Sequence, residues 1–147
     1  MGLTAERLAE VSGIKREEMD AWSLRSHKRA AEAYEKGYFK EEIVPVAVEK
    51  EGQKKVVDRD QAVRPDTTLE ALAKLPPAFK PDGVITAGNS SPLNSGAAYV
   101  MLASGEAVKK YGLQPLAKVR AVAFAGVPPE VMGMPPACAT ATRVCKS

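Results

Sequence analysis

Residues Val84–Ala103 read VITAGNSSPLNSGAAYVMLA, a polar turn that runs directly into an apolar segment. Gly88 and Gly96 bound the turn, and glycine lets a backbone approach its neighbours more closely than any side chain permits. Neither position is expected to accept a Cβ. Asn89, Ser90, Ser91, Asn94 and Ser95 carry short polar groups able to hydrogen-bond their own backbone. Ala97–Ala103 holds no charge and suits a strand buried on both faces. A loop of small residues feeding a buried strand predicts a site where backbone and short side chains touch a ligand.

Working outward, the chain has the size and composition of one ordinary globular domain: 147 residues, 45% hydrophobic and 27% charged. Its formal net charge of +3 comes from Lys and Arg interspersed with Asp and Glu. Basic residues are therefore not gathered on one face, and nucleic acid is not an expected partner. No apolar run has the length of a membrane span, and the N-terminus lacks a secretory pattern. Cys138 and Cys145 both lie near the C-terminus, and His27 is the one histidine. These make neither a disulfide framework nor a metal cluster, so no metal ligand is assigned.

Upstream, Thr4 predicts an N-cap for a short helix ending at Gly13. A longer helix is expected from Arg16 to Lys36, stopped by Gly37, with Met19, Trp22, Ala30, Ala33 and Tyr34 at helical spacing. His27 has no companion ligand in that helix and reads as a surface or packing residue. Glu42–Val48 predicts an edge strand or bulge around Pro45, returning through a turn at Gly52 to Val56–Val57. Asp66–Thr68 caps a short helix that Pro76–Pro77 terminates. Downstream, 104–111 predicts a helix ended by Gly112, and 115–127 a second strand.

Several blocks, in order, resemble the thiolase family. MGLTAE at 1–6 is similar to its M-G-x-T-A-E. IKREEMDAW at 14–22 resembles I-S-R-E-E-Q-D-x-F, and FKEEIVPV at 39–46 resembles F-x-x-E-I-V-P-V. RPDTTLEALAKLPPAF at 64–79 is similar to R-P-x-T-T-x-E-x-L-A-K-L-x-P-A-F. TAGNSSPLNSGAA at 86–98 resembles the T-A-G-N signature followed by N-D-G-A-A, and GVPPEVMG at 126–133 resembles G-V-x-P-x-x-M-G. Ser95 stands where the family has Asp, and Pro135 where it has Gly.

The resemblance implies an incomplete α/β thiolase-like fold, a helical loop domain followed by part of a core sheet. Residues 1–83 would be the subdomain covering CoA, 84–130 a β-α-β piece of the core, and 131–147 a divergent tail. It implies acyl-CoA and CoA as substrates, with no tightly bound cofactor, in a Claisen condensation or thiolytic cleavage through a Cys acyl-enzyme. Arg64 resembles a residue at the nucleotide end; Leu72 and Phe79 resemble walls of the acyl-CoA tunnel, with Ala71 beside them. Ala87, Ser91 and Leu93 fall on the loop lining pantetheine, and Met1 and Met132 near the acyl end.

The family's nucleophilic Cys, its G-H-P and its C-x-G-G-G find no counterpart in this chain. Cys138, Cys145 and His27 match none of those contexts, so no catalytic residue is assigned and the chain alone is expected to be inactive. The competing expectation is a non-catalytic fragment or interaction module. The family further implies a homo-oligomer, dimer or tetramer, inside the cell in cytosol, mitochondrion or peroxisome.

Overall fold

The structure is a computed structural model describing residues 1–50, 52–134 and 136. Cys138, Cys145 and the tail expected beyond residue 136 lie outside the described residues. The chain divides into two compact units, one spanning Met1–Pro92 and the other beginning at Leu93.

The first unit opens with two helices, α1 (Gly2–Ser12) and α2 (Arg16–Glu35). α1 begins three residues earlier than the Thr4 cap predicts, with Met1 in the capping position. Thr4 lies inside the helix and turns its hydroxyl back to the Met1 carbonyl at 2.6 Å. At the head of α2, the Glu18 carboxylate accepts from the Lys15 amide at 2.9 Å, satisfying one of the donors that a helix start leaves free. α2 stops where the sequence places its glycine. Gly37 takes φ 71°, the Tyr38 amide reaches the Ala33 carbonyl at 3.0 Å, and the Gly37 amide reaches Tyr34 at 3.1 Å. This pair of bonds is a Schellman ending, which the left-handed glycine makes possible.

A hairpin follows. β1 (Val46–Lys50) pairs antiparallel with β2 (Gln53–Val57), with Val46 opposite Val57 and Lys50 opposite Gln53. β1 starts just after Pro45, so the proline precedes the ladder and neither interrupts nor bulges it. Helix α3 (Leu69–Ala73) is capped by Thr68, whose hydroxyl accepts from the Ala71 amide at 3.2 Å. The chain then folds back on itself: Pro77 bridges Thr86, and the Ala78 amide donates to the Ile85 carbonyl at 2.8 Å.

The centre of this unit is unusual in composition. Ala9, Ala31, Leu72 and Ile85 are its buried apolar residues, and Glu6, Asp20, Thr67 and Thr86 are buried with them. Buried polar groups are costly unless bonded, and among the described residues no buried side-chain nitrogen or oxygen lacks a partner.

The second unit contains α4 (Gly105–Tyr111) and a 3-10 turn at Pro129–Val131. α4 matches its sequence signals: Ser104 accepts from the Ala107 amide at 3.1 Å, Glu106 sits in the first turn, Lys109 and Lys110 in the last, and Gly112 ends it. The flanking segments 97–103 and 115–127 differ from expectation. They carry no strand pairing among the described residues, and Tyr99, Met101, Leu102 and Phe124 are exposed. A strand apolar on both faces needs hydrogen-bonded neighbours and covering layers, and no described segment pairs with either stretch.

Candidate functional site

The turn that follows Val84 is built by side chains reaching in from the helices. Glu6 is 3% exposed, and its carboxylate accepts from the Val84 and Ile85 amides, each at 3.0 Å. Thr86, wholly buried, donates its amide to Asn89 Oδ1 at 2.8 Å and accepts from the Gly88 amide on Oγ1 at 3.1 Å. Its carbonyl accepts from the Ser90 hydroxyl at 2.6 Å. Asn89 Nδ2 donates to the Val84 carbonyl at 3.0 Å and to Asp20 Oδ1 at 3.1 Å.

Asp20, also 3% exposed, is held in turn by Arg16 Nε at 2.7 Å. The same guanidinium donates from Nη2 to the carbonyls of Leu72 at 2.6 Å and Leu75 at 3.2 Å. Leu72 lies in the last turn of α3, where its carbonyl also accepts from the Leu75 amide at 3.1 Å, and Leu75 lies just past the helix end. Charge-assisted bonds of this kind are the stronger ones, and here they tie α2, α3 and the turn together.

This scaffold brings several of the sequence-assigned residues together. Leu72 is buried, and a Cβ placed on Gly88 would lie 2.6 Å from its side chain and 2.6 Å from that of Leu75. Gly88 therefore allows the turn to sit directly on α3. Ala87 and Ser91 are exposed on that turn, and Ala71 is exposed on α3. Phe79, half exposed, packs against Gly2, where a Cβ would collide with its ring, and Met1 next to it is exposed. Arg64 is exposed too, with its backbone pinned to α2: its amide donates to His27 Nδ1 at 3.2 Å, and Lys28 Nζ donates to the Pro65 carbonyl at 2.9 Å. His27 thus serves as a packing and anchoring residue.

Leu93 and Met132 belong to the second unit; Leu93 is fully exposed and Met132 half exposed. A Cβ at Gly96 would meet nothing within 4 Å, so the close approach expected there is absent in the described structure.

Glu6, Arg16 and Asp20 are the residues that sequence reasoning missed as parts of the site, whereas Asn89, expected to bond its own backbone in the turn, does so. On helical spacing Glu6 and Asp20 read as ordinary polar positions, and nothing local marks a carboxylate as buried. The available signal was their place inside the M-G-x-T-A-E and R-E-E blocks. An open hollow of about 430 Å³ borders this same network: Glu6, Arg16 and Val84 line it together with Ala9, Ile14 and Lys80, while none of the residues assigned from the sequence does. At its rim the Glu10 carboxylate is held below its usual range by its hydrogen bonds with Lys80 and then Arg7, while the bond to Glu10 raises Lys80. Among the described residues no group of His, Cys, Asp and Glu could hold a metal ion.

The fold and the turn are those of a known class. The thiolase N-terminal domain matches residues 1–106, and the chain belongs to the thiolase family. It is 47% identical over its whole length to an acetyl-CoA acetyltransferase of Chromobacterium violaceum, of which it covers 38%. It is 50% identical over 90% of its length to a beta-ketoadipyl-CoA thiolase of Pseudomonas putida, of which it covers 33%. The chain thus spans well under half the length of these curated relatives.

Among solved structures, the Bacillus anthracis acetyl-CoA acetyltransferase superposes with a TM-score of 0.86 at 47% identity, over 97% of this chain and 36% of that one. The human mitochondrial 3-ketoacyl-CoA thiolase in complex with CoA gives 0.81 at 43% identity, over 95% of this chain and 34% of that one. The incomplete thiolase-like α/β fold expected from the sequence is therefore the fold observed.

Proposed function

We propose that this chain is an acyl-CoA-binding portion of a thiolase, contributing substrate contacts to Claisen condensation or thiolytic cleavage of a 3-ketoacyl-CoA. The observation that carries the reading is the Thr86–Ser91 turn. It rests against α3 through Gly88 and leaves Ala87 and Ser91 exposed, in a chain whose structural relatives include a thiolase with CoA bound.

Pantetheine is a neutral amide chain, so the wall facing it is selected for shape and single hydrogen bonds rather than charge. The Ser91 hydroxyl supplies one such group; Leu72 and Phe79 supply apolar surface and Ala71 leaves room beside them. Arg64 suits the nucleotide end, because a guanidinium stacks on a base and pairs with phosphate. Met1, Leu93 and Met132 complete the reading as contacts nearer the loop and the acyl end.

The covalent step needs a nucleophilic Cys and an acid–base His, and no motif of this chain supplies them. Binding without them gives no acyl transfer. The reading carries with it a homo-oligomeric parent enzyme and an intracellular setting. Among the described residues no helix is long and apolar enough to cross a membrane.

Calorimetric titration with CoA tests it. Ser91→Ala should weaken affinity a few-fold, about 1 kcal/mol for one hydrogen bond. Arg64→Ala should weaken it more at low salt than at high salt, since screening already weakens exposed charge pairs. Wild-type protein that leaves CoA unbound, or a Ser90→Ala variant that abolishes binding while Ser91→Ala changes nothing, would refute the assignment of this wall.

A further inference from the structure

The carboxamide of Asn89 is used at both ends. Oδ1 accepts from the Thr86 amide, while Nδ2 donates to the Val84 carbonyl and to Asp20 Oδ1. An amide can occupy such a position in two orientations, and its neighbours decide between them. An ionised carboxylate only accepts, so Asp20 selects the orientation with Nδ2 toward it. Turned over, Asn89 would set its oxygen against two acceptors and its NH2 against the Thr86 N–H. Asp20 is held by Arg16 Nε, and Arg16 Nη2 bonds the carbonyl of Leu72 in the last turn of α3 and that of Leu75 just past it. α3 is also the helix whose Leu72 lies within contact of Gly88. One guanidinium therefore addresses both the surface under the turn and the residue that orients it.

We propose that Asp20 and Asn89 are positioning residues of the CoA wall, coupled through Arg16 to α3, and that they act by fixing the turn's shape. The inference rests on the CoA reading for its functional half, and on the turn's own hydrogen bonds for its structural half. It follows that polarity at positions 20 and 89 matters as a pair: one residue must donate where the other accepts.

The test is a double-mutant cycle on the chain with Asn89→Asp, Asp20→Asn and both together. It is read by CoA titration, by amide exchange at Thr86 and Gly88, and by thermal midpoint. Asn89→Asp sets two carboxylates together and removes the donor to Val84. It should weaken CoA affinity roughly tenfold and accelerate exchange at Gly88. Asp20→Asn, which lets the Asn89 amide face either way, should cost about threefold. The double variant restores a donor facing an acceptor between positions 20 and 89, and should recover part of the loss seen in Asn89→Asp, the bond to the Val84 carbonyl staying absent.

Strictly additive effects, or a lowered midpoint with CoA affinity of the folded protein unchanged, would overturn the proposal by making the pair merely structural. Should Asn89→Asp fail to fold, Asp20→Asn carries the same comparison of affinity and exchange against midpoint. If wild-type protein binds no CoA while its Gly88 amide is protected, the CoA reading falls by itself. The orienting role is then judged on exchange, and unchanged rates in Asp20→Asn and Asn89→Asp would overturn that as well.

Discussion

Gly88 and Gly96 look alike in the sequence and differ entirely in their surroundings. A methyl at Gly88 would lie 2.6 Å from both Leu72 and Leu75. Gly88→Ala should therefore destabilise the first unit by about 1–3 kcal/mol, as overpacking does, seen as a lower denaturant midpoint. Gly96→Ala, with open space around it, should stay within about 0.5 kcal/mol of wild type in the same titration. Equal effects at the two positions would contradict the packing described. Glu6 offers a second test at this scale, because its two carboxylate oxygens each accept one backbone N–H. Glu6→Gln places an NH2 against one of those donors and should cost about 1–3 kcal/mol.

The helices were foreseen most accurately where local chemistry ends them. α2 stops at Gly37 because a left-handed residue is needed there, and α4 begins at Ser104 because its hydroxyl bonds the Ala107 amide. α1 was placed less well: Thr4 has the chemistry of a cap, but the helix already includes Gly2. An ion pair, Lys80 Nζ to Glu10 at 2.7 Å, links α1 to the segment before the turn. Glu10 is held below its usual value of 4.5 and Lys80 above its usual 10.5. A lowered carboxylate contributes stability that is present above its unfolded pKa and lost as pH falls through the folded one. A raised lysine contributes stability that is lost as pH rises through its folded value. Stability should thus slope downward at the acid end, below about pH 4.5, and less so in Glu10→Gln. Both groups are exposed, so the change is small and best read as a difference in acid midpoint between variant and wild type.

Across the whole chain, the described structure leaves Tyr99, Val100, Met101, Leu102, Val119 and Phe124 exposed on segments with no strand pairing among the described residues. Such segments favour association. Sedimentation velocity of the isolated chain should show concentration-dependent self-association, and Met101→Lys together with Phe124→Lys should reduce it. A compact monomer that unfolds cooperatively at every concentration would show that the chain covers these segments itself. Assayed for acetoacetyl-CoA cleavage, the isolated chain should be inactive; turnover abolished by Cys138→Ala would reverse that expectation.

Membership of the thiolase family, the helix order and the hairpin are legible in the residues alone, because caps, glycine stops and motif spacing are local and survive without tertiary context. The polar turn expected between Gly88 and Gly96 overlaps the observed one, which begins earlier at Thr86 and is built by Thr86, Gly88, Asn89 and Ser90, with no close approach at Gly96. Which polar residues are buried becomes visible only once the chain is folded. Glu6 and Asp20 carry charges on helices and look solvated in one dimension, but the folded chain closes over them and supplies their partners from residues far along it. The strand reading of 97–103 has the same origin in reverse. Apolar patterning states that a segment expects burial on both faces, while the pairing that makes it a strand comes from neighbours that no local pattern provides.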